Sequence, residues 1–156
     1  MFRIHALSAA PFQPLFALSD DELAARDIHR AVADAPHAYP CRVSLRDAEP
    51  GERLLLLPYE HHAVATPYRG TGAVFVRERG SDASLSNGEV PEQLRRRLLS
   101  IRAYGADGMM RIADVVEGSG IESLIARFFE RDDVDYLHVH FAKYGCYACR
   151  ITREAA

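Results

Sequence analysis

The sequence has almost no lysine. Lys143 is the only one, set against eighteen arginines in 156 residues. There is no basic excess either. A net charge of −3 and a pI near 6.1 exclude the electrostatic footprint of a general nucleic-acid binder. Long hydrophobic runs are missing. The longest aliphatic stretch is residues 54–57, far short of the roughly 20 apolar residues of a membrane helix. The start, Met1-Phe2-Arg3-Ile4-His5, lacks the apolar centre of a secretory signal. Cysteines are few and odd in number: Cys41, Cys146 and Cys149. With no export signal, they are expected as reduced thiols in the cytoplasm.

What is there describes an ordinary globular chain, 48% hydrophobic and 26% charged. Its length suits one domain over residues 1–156, large enough to bury a core without a disulfide or metal. The arginine and alanine bias fits the codon usage of a GC-rich bacterial genome. Arginine forks also suit carboxylate or phosphate recognition, and composition does not separate the two readings.

Periodicity divides the chain into strands and a few helices. Residues 2–6 alternate as a first strand. Ser19 and Glu22 have capping-box spacing ahead of a short helix. Residues 28–33, 41–45, 52–60 and 73–78 read as strands. Residues 52–60 are apolar on both faces, so that strand belongs at the centre of the sheet, with Pro58 marking an irregularity or strand end nearby. The segment 66–72 reads as a loop, and 79–88 as the most mobile one. Pro91 opens a short helix. Residues 98–104 and 109–116 form a hairpin around Gly105-Ala106-Asp107-Gly108. Ser119 and Glu122 repeat the capping-box pattern before the stripe Ile121, Leu124, Ile125, Phe128 and Phe129, which must pack on the sheet. Residues 136–142 and 146–152 close the chain as a hairpin around Tyr144-Gly145. The expected fold is α+β: a mostly antiparallel sheet of about six to eight strands with two main helices.

The densest chemistry is His138-x-His140 followed by Cys146-Tyr147-Ala148-Cys149-Arg150. Cys41 and the pair His61-His62 are candidates to join it in space. Histidine and thiolate suit zinc, giving Cys41, His140, Cys146 and Cys149 as a ligand set. Equally, all three thiols could be buried and inert. Hairpin register decides which side chains meet. A two-residue loop places Cys149 opposite His140, on one face with His138; a three-residue loop places it beside Val139 and turns that face over. Cys-Tyr-Ala-Cys also permits a redox motif, although no helix follows it, and Cys149 with His140 permits a nucleophile–base pair. Thr66-Pro67-Tyr68-Arg69-Gly70-Thr71-Gly72 could cradle an anion or simply be a tight turn. Tyr59-Glu60-His61-His62 sets a carboxylate beside two imidazoles, suited to acid–base or ligand chemistry or to a solvated strand end. Arg95-Arg96-Arg97 reads as a solvated helix face.

Three stretches carry a resemblance: Tyr39-Pro40-Cys41-Arg42-Val43-Ser44-Leu45-Arg46-Asp47-Ala48; Pro67-Tyr68-Arg69 leading to Val74-Phe75-Val76-Arg77-Glu78; and His140 with Gly145-Cys146-Tyr147-Ala148-Cys149-Arg150. Together they resemble the small bacterial proteins of the domain-of-unknown-function family numbered 1203, over most of the chain from about residue 28. The resemblance implies no assigned activity. It points to Cys41, Arg42, Tyr68, Arg69, Arg77, Glu78, His140, Cys146, Cys149 and Arg150, a set that could line an anion-binding pocket or form a buried network.

Three functions follow. The first is a pocket for a small anionic ligand, with Arg42, Tyr68, Arg69, Arg77, Glu78 and Arg150 binding and His140 or Cys149 supplying chemistry. The second is a zinc-stabilised domain without catalysis. The third is a protein-interaction module or homo-oligomer.

Overall fold

The computed structural model describes residues 1–154. Eight strands form two antiparallel sheets. They are β1 (Phe2–His5), β2 (His29–Val32), β3 (Arg53–His62), β4 (Gly70–Arg77), β5 (Leu98–Tyr104), β6 (Met110–Glu117), β7 (Tyr136–Phe141) and β8 (Tyr147–Arg153). One sheet has the order β1-β8-β7-β5-β6 and the other β2-β3-β4. The α+β class with antiparallel pairing is as expected, but the single sheet becomes two. The 52–60 strand is central only to the smaller one. A pattern of buried positions reveals which strands are covered on both faces, not which strands pair.

The helices are shorter than expected. α1 (Asp20–Ala24) and α2 (Glu92–Arg95) are single turns, and only α3 (Ile121–Phe129) has length. α1 starts on the anticipated capping box: Ser19 accepts from the Glu22 amide, and Glu22 accepts from the Ser19 amide. α3 does not. Gly118–Gly120 forms a 3₁₀ turn that makes Gly120 the N-cap, and Glu122 pairs with Arg95 at 2.5 Å instead. Residues 41–45 are not a strand. Pro40 bridges to Asp47, and Leu45 takes φ +50°, so the chain doubles back there.

The main core lies between α3 and one face of the larger sheet. Ile121, Leu124, Ile125 and Phe128 pack with Leu99, Ile101, Leu137, Val139, Cys149 and Ile151. Each such side chain contributes about 1.5–3 kcal/mol by burial. The smaller sheet has its own cores. Leu55, Leu57, Val74 and Val76 pack on Phe12, Leu23 and Ile28, while Leu54 packs on Ala33 and Ala48 on the other side.

β7 is buried along its whole length. Leu137, Val139 and Phe141 enter the α3 core, so the alternation turns Tyr136, His138 and His140 to the other face. There the end of β3 covers them. Arg42 ties the junction: its Nε donates to the Tyr147 carbonyl at 2.7 Å, its Nη1 to the Pro40 carbonyl, and it stacks on Phe141. Burial pushes its guanidinium down to about 10. No helix is long and apolar enough to cross a membrane among the described residues.

Candidate functional site

Three imidazoles meet where the two sheets join. His61, His138 and His140 can each offer one ring nitrogen such that all three lie within 4.8 Å of one another, and they form the one such ligand group among the described residues. Two local irregularities bring this about. On β3 the register shifts between Glu60 and His62, leaving His61 as an extra residue. On β8 it shifts so that Val139 faces Cys149 while His140 faces Tyr147, leaving Ala148 extra. A bulge bends its strand and re-aims the side chains around it. The first sends His61 and His62 to flank β7, with ring centroids 5.1 Å from His140 and 4.9 Å from His138 respectively. The second keeps Tyr147 and Arg150 on the histidine face and turns Cys149 into the core.

The surroundings fix the rings. The Tyr147 ring stacks on His61 at 5.2 Å and meets His138 and His140 edge-on. His140 Nδ1 lies 2.9 Å from the Gly145 carbonyl, which can only accept, so Nδ1 carries the proton and Nε2 presents a lone pair. His62 Nδ1 donates to the Tyr68 carbonyl at 2.8 Å, and its Nε2 accepts from the Tyr136 hydroxyl at 2.7 Å. His61 Nδ1, His138 Nδ1 and His140 Nε2 are buried without a hydrogen-bond partner. Burial pushes His138 down to about 2, reinforced by the neighbouring histidines, and His140 down to about 4. His61 is also lowered, by burial first and then by His62 and Arg102. All three rings are therefore neutral near pH 7, the form that binds metals.

A cleft of about 380 Å³ opens on the cluster, lined by His5, Tyr59, His61, His62, Tyr136, His138, Tyr147 and Arg150 among others. His140 lies behind it, 1% exposed. The floor under His61 is Gly70. A Cβ there would sit 2.8 Å from His61 Cε1 and 3.1 Å from Nε2. Gly70→Ala is expected to displace the His61 ring from the cluster with little change in unfolding midpoint; a shift of the His61 ring-proton resonances checks it.

The residues singled out from sequence scatter. His140 lies in the histidine cluster, and Arg150 lines the cleft beside it. Cys41, His140, Cys146 and Cys149 do not come together as one group among the described residues. Cys41 is buried in the small-sheet core, its sulfur taking the Arg77 amide at 3.4 Å. Cys149 lies in the α3 core, where burial pushes its thiol well up, against a role as an accessible nucleophile. Cys146 is half-buried in the turn, with its sulfur 3.8 Å from the Tyr144 carbonyl. The hairpin loop causes this. Phe141 bonds Cys146 across four loop residues, and the bulge then pairs Cys149 with Val139. Arg42 is spent on carbonyls. Arg69 pairs with Glu60, Arg77 with Glu52 at 2.6 Å, and Glu78 with Arg53 at 2.7 Å. Tyr68 contributes its carbonyl. Arg42, Arg69 and His140 thus do not converge on one cleft. The residues around His140 are instead His61, His138 and Tyr147, with Gly70 packed under His61. The two histidine pairs were the available signal.

The fold and site define a class: a two-sheet α+β protein whose sheets meet at a three-histidine cluster beside a cleft. The profile of the family described as protein of unknown function (DUF1203) matches residues 38–153, and the chain belongs to that family. Searches of the curated proteins and of the solved structures each return no match.

Proposed function

We propose that this protein holds one divalent transition-metal ion, of the zinc class, on His61, His138 and His140. The observation that carries it is the convergence of three neutral imidazoles, each with a buried nitrogen lacking any partner. An unsatisfied buried polar atom costs about 1–3 kcal/mol, and three together need a common partner. Imidazole donors suit zinc, copper, iron and nickel. Four-coordinate zinc with nitrogen at about 2.0–2.1 Å places its ligand atoms roughly 3.3 Å apart, so modest ring rotations complete the site. The Gly145 carbonyl on His140 Nδ1 is the outer partner that fixes a ligand's tautomer.

Three protein ligands beside a cleft leave a coordination position open. Such an ion supplies Lewis acidity to an oxygen bound there. The chain's own residues hold the ion, shape the cleft and exclude water behind it. Tyr136 lines the cleft and donates its hydroxyl to His62 Nε2 at 2.7 Å. Zinc analysis of untagged protein tests the reading. About one equivalent is expected after loading and passage through a non-chelating column; retention below about a tenth of an equivalent sinks it.

A further inference from the structure

The face that carries the imidazoles also carries two arginines without acidic partners. His138 stands in the middle of a row across the larger sheet: Arg102 on β5 pairs with it on one side, and Arg150 on β8 on the other. Directly opposed residues share a face, so all three project toward the cleft side. The Arg150 guanidinium lies over the Tyr136 ring at 4.1 Å and lines the cleft. Neither arginine forms an ion pair among the described residues. The one carboxylate on the cleft, Glu60, is engaged by Arg69.

This charge balance has a consequence. Three neutral imidazoles leave the full double charge of a bound ion in place, and two arginines add to it. Nothing in the protein's own cleft compensates. Arg150 is exposed at the cleft and Arg102 half-buried on the same face, so their positive field, with that of a bound ion, reaches an incoming anion and favours it. Resting on the metal reading above, we infer that the ligand or substrate of this site is a small oxyanion, a carboxylate or a phosphate. One of its oxygens takes the open coordination position. The Arg150 fork holds the remainder, since a planar guanidinium matches two oxygens of either group. Arg102, paired with His138 on the same face, adds to the positive field. The stacking of Arg150 on Tyr136 holds the fork in place before the ligand arrives.

Untagged protein loaded with cobalt(II) separates this inference from the one it rests on. Acetate and inorganic phosphate are titrated in separately at constant ionic strength, and the visible cobalt bands are followed. A saturable spectral change with at least one of them is expected, and the better of the two names the class. Arg150→Gln is expected to weaken that anion by roughly tenfold or more while cobalt stoichiometry stays at the wild-type value. Arg150→Lys keeps the charge, loses the fork, and should fall between. Cobalt uptake with bands that neither anion moves overturns the anion assignment and leaves the metal centre standing. So does a Gln variant that binds anion as tightly as wild type. Loss of cobalt together with anion in that variant makes Arg150 part of the metal framework and also overturns it. No cobalt uptake by wild-type protein removes the metal reading itself.

Discussion

His140→Ala is expected to lower zinc affinity by at least about 100-fold, more than the 10–100-fold typical of changes to a ligand's outer partner. The reason is geometric. His140 is the ring whose tautomer is fixed, by the Gly145 carbonyl, with its free nitrogen turned to His61 and His138. Removing it leaves two donors, one of them on a different sheet. The effect is readable as thermal stabilisation. Zinc at 100 times its dissociation constant adds about 2.7 kcal/mol to a folded protein that alone binds it. For a chain of this size that raises Tm by roughly 5–10 °C. His140→Ala should abolish the zinc-induced rise. Cys146→Ser should leave it intact, because Cys146 Sγ contacts the Tyr144 carbonyl and lies outside the ligand group. The opposite pattern, zinc response lost in the serine variant and kept in the alanine one, would restore the thiolate set and refute the all-histidine centre.

Metal-free protein should lose stability steeply on mild acidification. His138 and His140 are buried and neutral, with values pushed from about 6.5 down to about 2 and about 4. The unfolded chain exposes both at the ordinary value. Between these limits the unfolded state binds more protons than the folded one, so stability rises with pH in that window. The contribution is fully present above about pH 6.5. It falls as pH drops toward 4 for His140 and continues toward 2 for His138. One pKa unit is worth 1.36 kcal/mol, so moving from pH 7.5 to pH 5 costs about 2 kcal/mol for each ring, or about 4 kcal/mol together. That is a large share of a typical folding free energy of roughly 5–15 kcal/mol. Urea unfolding at the two pH values measures it, and His140→Gln should remove about half of the difference. A midpoint unchanged between pH 7.5 and 5 would contradict the burial of neutral rings. Bound zinc opposes the acid effect until protons compete for its ligands.

Much of the local structure was readable in the sequence because it rests on local rules. The α3 stripe, the Ser19 capping box, the β5–β6 hairpin and the doubly buried β3 each follow from spacing between near neighbours. The Ser119 capping box failed for a long-range reason: Arg95, distant in sequence, offers Glu122 a partner that its own helix N-terminus does not. The candidate site was half legible. His138-x-His140 and His61-His62 are visible in the sequence as chemistry-bearing pairs, and the family resemblance is carried by the same chain that the family profile matches over residues 38–153.

The sequence by itself determined the alternation that sends His138 and His140 to one face of a strand, and the imidazole-rich character of that face. Only the tertiary structure decided the partners. One extra residue at Ala148 turned Cys149 into the core, and one at His61 turned an imidazole from the other sheet toward β7. A bulge shifts every later side chain by one position, and a two-residue period has no tolerance for such a shift. Lysine is nearly absent throughout, and the arginines that replace it are mostly paired or stacked. Arg102 and Arg150 gain their meaning only from standing on either side of His138, an adjacency that sheet order creates between residues distant in sequence.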